Sequence, residues 1–162
     1  VELVLKQSEE QYTIENFFPD NGSDERQYCS PGFNLPIGSL MRTRYGRYKE
    51  YHTSDDNKKF ISFEAMEKSI NKYIDIIELI ENNCKFESSI PFCEPFLGKR
   101  DLYPKTTIQK EHSQAIGAIK WLLNYADGLH DLINIANKSK INFKDLIKSS
   151  NVLIKNNLIK KI

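Results

Sequence analysis

The chain has 162 residues, 40% of them apolar and 11% aromatic, with a formal net charge of +1. That is room and apolar content for one ordinary domain, or for part of a larger one plus a small module, and it excludes a disordered polymer. No apolar run reaches the eighteen or so residues of a membrane span and no signal peptide opens the chain, so no membrane partner is expected.

Val1–Lys6 reads as the end of a helix or strand without an initiator methionine, as expected of a piece of a longer protein. Residues 12–18 (Tyr-Thr-Ile-Glu-Asn-Phe-Phe) predict a short strand, broken by Pro19-Asp20-Asn21-Gly22. From Ser23 to Asn57, Gly32, Gly38, Gly46, Pro31 and Pro36 predict a loop-rich stretch, with an extended piece at Ser39–Thr43. Two polar clusters sit in it, one at Gly22–Gly32 and one at Tyr51–Asn57. They bring together Asp24, Glu25, Arg26 and Tyr28, and then Tyr51, His52 and Asp56, in segments without helix or strand periodicity. Ionisable groups gathered beside aromatics in loops are where sites tend to form.

Ser62 can cap a helix running from Phe63 to about Asn83. Phe63, Met66, Ile70, Tyr73, Ile74, Ile77 and Ile80 recur at three and four, opposite a charged face, and are expected to be core. Residues 84–112 read as a connector punctuated by Pro91, Pro95, Gly98 and Pro104. Ser113 then starts a helix with Gly128 as its left-handed stop, Asp131 a second and Asn142 a third, before a short strand-like end at Leu158–Ile162. Three short helices and a terminal strand predict a winged helix-turn-helix over 113–162. His112 and His130 are expected there without partners.

From Lys138 onward seven lysines face one acid, Asp145. Lys144, Lys148 and Lys155 share one helix, so a nucleic-acid partner is one reading of this module. A solvated face or a docking surface for another domain is the plainer one. Cys29, Cys84 and Cys93 are odd in number and irregular in spacing, which predicts reduced, partly buried thiols in a cytoplasmic protein.

The stretch Ser23–Pro36 followed by Tyr51–Asn57, together with the connector motif Glu94–Pro104, resembles bacterial aminopeptidase-like proteins found with polysaccharide-biosynthesis genes. Those belong to the zinc exopeptidase superfamily. The resemblance covers nearly the whole chain, with departures at Cys93, at Asp101 where glycine is expected, and at Glu25 where relatives carry histidine. It implies an α/β class: part of a zinc-exopeptidase-like α/β sandwich over residues 1–83, followed by the winged helix. It further implies that His52 is the last zinc ligand and that Asp56 orders the loop or orients the imidazole. Asp24 would support the site or face the substrate. Arg26 would grip a substrate carboxylate or lock Asp24 or Glu25, and Tyr28 or Tyr51 would line the site.

The other ligands and the general base would come from an N-terminal remainder, since Glu9-Glu10 reads as a solvated turn. The implied reaction is hydrolysis of an amide in a peptide or amino-acid-modified sugar, with this piece inactive alone. A non-catalytic sugar- or peptide-binding member of the same fold is the alternative. A half-sheet with an unpaired edge would favour self-association into a homo-oligomer.

Overall fold

Ser62 does cap the longest helix: its hydroxyl oxygen accepts the Ala65 N–H at 3.2 Å. In the computed structural model, which describes residues 1–8, 11–21, 23–103 and 110–162 (side chains of Asn21 and of 110–113 excepted), this helix runs Phe63–Asn82. Glu9, Glu10, Pro104 and the His112 side chain therefore lie outside the described residues. The elements in order are α1 (Glu2–Lys6), α2 (Asp24–Tyr28), α3 (Phe63–Asn82), β1 (Lys85–Ser88), α4 (Lys110–Asn124), β2 (Asp127–Asp131), α5 (Leu132–Ser139), α6 (Phe143–Lys155) and β3 (Ile159–Lys161). They divide into two compact units, one of Glu10–Lys72 and one of Val1–Glu9 with Tyr73–Ile162. No described helix is long and apolar enough to cross a membrane.

The second of these units holds the core. Its sheet has the order β2-β1-β3, all antiparallel, with Lys85 opposite Asp131 and Phe86 opposite Lys161. The stretch read as a connector thus contributes the central strand, whose Phe86 is fully buried. Asp131 caps α5 by accepting the Asn134 N–H at 2.8 Å, and Asn142 caps α6 by accepting the Lys144 N–H at 2.9 Å. The apolar stripe of α6 faces inward, with Phe143, Leu146, Ile147, Ser150 and Leu153 all buried against the neighbouring α4 and α5. Leu3 and Val4 of α1 and Ile76 and Leu79 of α3 join the same core.

The unit from Glu10 to Lys72 has the opposite character. None of its described residues is buried, and Phe33 is 72% exposed. Residues 12–18 are irregular rather than a strand, and Ser39–Thr43 forms no strand either. Among the described residues of 1–83 there is no strand, so the expected half-sheet of an α/β sandwich, with its free edge, is not seen among them. A lone β-rich segment has no neighbour for its N–H and C=O groups and does not hold an extended ladder by itself. The α3 stripe is corrected too: Phe63, Met66, Ile70, Ile77 and Ile80 lie on the helix surface, each about half exposed or more, while Ile76 and Leu79 point inward.

Gly128 is another revision. It has φ +77° inside β2 instead of ending a helix, and a Cβ there would press on the Ile162 side chain at 3.3 Å. His130 is not partnerless: its Nδ1 lies 2.9 Å from Asp127 Oδ2, and its ring meets the Tyr125 ring edge-on. Cys29 and Cys84 are half-buried free thiols, whereas Cys93 is exposed.

Candidate functional site

Both polar clusters fall in the unit Glu10–Lys72. The first is not wholly a loop, since Asp24, Arg26 and Tyr28 lie on the short helix α2 with their side chains exposed. Its organiser is Glu25. That carboxylate accepts from the Ser39 hydroxyl and, at 2.9 Å, from the Ser23 N–H. These bonds, the Ser39 one first, hold its pKa below the ordinary carboxylate value, and Arg26 adds only a weaker attraction at the end of the series. Ser39 therefore does the locking that sequence reasoning offered to Arg26. Cys29 closes the following turn by donating its thiol to the Leu35 carbonyl at 3.4 Å.

The second cluster is a run of local turns. Thr53 bonds back to the Glu50 carbonyl through its hydroxyl at 2.8 Å, and that same oxygen accepts the Asp55 N–H at 3.2 Å. Asn57 donates to the Ser54 carbonyl at 3.1 Å and accepts the Lys59 N–H at 3.0 Å. Side-chain oxygens of threonine and asparagine fold turns in this way because they substitute for backbone partners. Asp56 enters through its N–H, which donates to the Thr53 carbonyl. Among the described residues its carboxylate takes no part in these bonds, so the ordering falls to Thr53 and Asn57.

His52 stands at the head of this loop with φ +58°, a left-handed conformation that costs a non-glycine residue energy. Its exposed imidazole lies flat on Tyr51, with ring centroids 3.9 Å apart and planes 17° from parallel. Tyr51 stacks in turn on Tyr45 at 5.9 Å and meets Tyr48 edge-on at 5.7 Å, and Tyr48 stacks on Phe60. Two arginines brace this aromatic shelf: Arg44 and Arg47 both engage Glu15, the latter at 2.5 Å, and Arg44 also lies over the Tyr45 ring. The paired guanidinium groups, Arg47 foremost, keep the Glu15 carboxyl below its usual range.

Sequence reasoning passed over Glu15, Arg44, Tyr45, Arg47, Tyr48 and Phe60. The signal was the repeat of arginine at 44 and 47 and of tyrosine at 45, 48 and 51, a three-residue spacing that lets successive turns present like side chains together.

The shelf offers one aromatic nitrogen base on a braced platform. Among the described residues no three His, Cys, Asp or Glu side chains converge on a point where a metal could sit, and no described contact joins the α2 cluster to the His52 loop.

Comparison with other proteins gives this arrangement its setting. Over all 162 residues the chain is 40% identical to a protein of Clostridium acetobutylicum named a polysaccharide biosynthesis protein with aminopeptidase-like domain, and it spans about 37% of that protein's length. A crystal structure described as a peptidase from the same organism superimposes on 99% of the chain with a TM-score of 0.84 at 38% identity, and the chain spans 35% of it. The aminopeptidase-like resemblance therefore holds, in a chain that mixes helices with a small sheet. Residues 85–161 match the winged helix-turn-helix family, in agreement with the three-helix and three-strand module. Residues 1–83, just over half of the chain, match the family described as domain of unknown function DUF4910, and the chain belongs to that family.

Proposed function

We propose that this chain is the C-terminal portion of a zinc-dependent aminopeptidase-like hydrolase that cleaves an amide bond in a peptide or an amino-acid-modified sugar. The observation that carries the reading is the unit Glu10–Lys72, which holds an exposed, aromatic-braced His52 yet buries none of its described residues. A unit without a core is not stable on its own, so its apolar side chains call for further chain to cover them. We assign that cover, and the missing ligands and general base, to an N-terminal remainder of the protein.

The donor chemistry fits. A neutral imidazole is a good zinc ligand, and stacking on Tyr51 limits the ring to few orientations. Zinc bound by His52 and ligands from the remainder would lower the pKa of a bound water and polarise the scissile carbonyl. Within this chain His52 would hold the metal, Tyr51 would fix the imidazole plane, and Tyr28 or Tyr51 would line the substrate path. Arg26, exposed on α2 and only weakly drawn to Glu25, would take a substrate carboxylate through a bidentate fork. Asp24 and Asp56 would add negative charge, Asp24 from the first turn of α2.

Zinc content by elemental analysis of the full-length protein, its His52→Ala variant and this 162-residue chain tests the reading. Stoichiometric zinc in the full-length protein, sharply reduced by the substitution and absent from the short chain, is the expected outcome. Full retention of zinc in His52→Ala would remove His52 from the metal, and a full-length protein that binds no zinc would leave a non-catalytic sugar- or peptide-binding member of the fold.

A further inference from the structure

The seven lysines after Lys138 and the winged helix raise the question of what α6 is for. In helix-turn-helix proteins the N-terminal residues of the second helix reach the base edges, so that end must be open and its cations free. In this protein that end is covered, and its first lysine is already paired.

Gln7, immediately after α1, reaches across to the turn between α5 and α6 and holds it by both ends of its amide. Its Nε2 donates to the Ile141 carbonyl at 2.9 Å, and its Oε1 accepts the Phe143 N–H at 3.0 Å. The Phe143 N–H is one of the orphan donors of a helix start, so Gln7 is a cap supplied from 136 residues away. Lys144, next in line, points to Asp75 of α3, with Nζ 2.5 Å from the carboxylate, and Glu78 adds to the negative field around it. The buried Leu3 and Val4 tie α1 into the core, which keeps Gln7 in register. At the far end of the module Lys160 is paired with Glu87 at 2.8 Å. A phosphate approaching the start of α6 would meet two carboxylates and a lysine already engaged.

We propose that the reading end of α6 is a protein-binding seat occupied by the chain's own α1 and the second half of α3. The winged helix is an intramolecular clasp that fixes α3, and it does not read duplex nucleic acid through α6. This inference is independent of the zinc reading, because it concerns a different surface and none of its residues belongs to the His52 loop.

Two measurements on the full-length protein test it. The first is fluorescence anisotropy with a labelled random-sequence 20-base-pair duplex over a salt series. The expected result is binding no tighter than the non-specific range of about 10⁻⁶ to 10⁻⁴ M at physiological salt, with a salt slope unchanged by Lys144→Ala. Tighter binding, or a log–log slope that falls by about one in Lys144→Ala, would show Lys144 on a phosphate and overturn the proposal.

The second is amide hydrogen exchange over the first turn of α6. Gln7→Ala is expected to speed exchange at Phe143 about fivefold or more, leaving β1 protected. Asp75→Lys is expected to speed exchange in the same turn, and the charge swap Asp75→Lys with Lys144→Asp to restore it. Because the swap keeps one cation and one anion, it reports on the seat even if Gln7→Ala unfolds the module. An unchanged Phe143 rate in a folded Gln7→Ala variant, or a swap that fails to restore protection, would refute the clasp.

Discussion

Leu79 and Ile80 are neighbours on α3, yet Leu79 is 1% exposed and Ile80 60%. Replacing each with alanine separates what this chain packs from what it leaves for a partner. Leu79→Ala removes buried methyl groups and leaves a cavity, which costs about 2–5 kcal/mol. Ile80→Ala in the 162-residue chain removes a side chain that mostly meets water, and should stay within about 0.5 kcal/mol. In the full-length protein the same Ile80 change should cost more. Complete burial of an isoleucine is worth about 1.5–3 kcal/mol, and the share still exposed here corresponds to roughly 1–2 kcal/mol. Urea denaturation followed by far-UV circular dichroism, with both variants in both chain lengths and slopes held equal, gives the four values. An Ile80→Ala cost that is equally small in the two lengths would mean that nothing covers the α3 stripe, and the argument for a composite domain would lose its main support.

Two further outcomes follow from the local geometry. Asp131→Ala removes the α5 cap and a 3.3 Å contact from Asn83, so it should cost about 1 kcal/mol and lower the Tm of the winged-helix unit by about 4–8 °C; calorimetry showing no shift would contradict the capping role. The Glu15 carboxyl is held below its ordinary value of 4.5 by Arg47 and Arg44. A depressed carboxylate contributes stability that is complete above its unfolded pKa and is lost as pH falls through its folded one. Near-UV circular dichroism of the tyrosine shelf should therefore decay on acidification below about pH 4.5 in the parent chain, and Glu15→Gln should flatten that component. Identical acid curves would detach Glu15 from the shelf.

What could be read from the sequence was what depends on near neighbours. Ser62, Asp131 and Asn142 cap the helices expected of them because a cap bonds only two or three residues along. The strands were harder. β1 is Lys-Phe-Glu-Ser and β2 is Asp-Gly-Leu-His-Asp, neither with a β-branched residue, and they exist because each finds the other about 40 residues away. Gly128 looked like a helix stop for the same reason, since its positive φ is real but its neighbours in space were not visible. At the site, the His52 loop was recognisable from its motif, whereas the arginine repeat at 44 and 47 does not say that Glu15, about 30 residues away, is the acid it meets.

The two apolar stripes carry the deeper lesson. Those of α3 and α6 have the same three-and-four spacing, which for α3 predicts a core face. The α6 stripe is buried, while most of the α3 stripe is bare. Periodicity identifies residues that gain from leaving water, and that gain is the same whatever covers them. It does not say whether the cover lies in the same stretch of chain. In α6 the cover is α4 and α5, the two helices just before it in the chain. In α3 only Ile76 and Leu79 find cover here, on the side turned to the winged-helix core, and the opposite side keeps its isoleucines exposed. A helix apolar on two sides belongs between two layers. The winged helix supplies one of them, and holds it in register through Gln7 and the Lys144–Asp75 pair. The other layer is what the Ile80 comparison between chain lengths would detect.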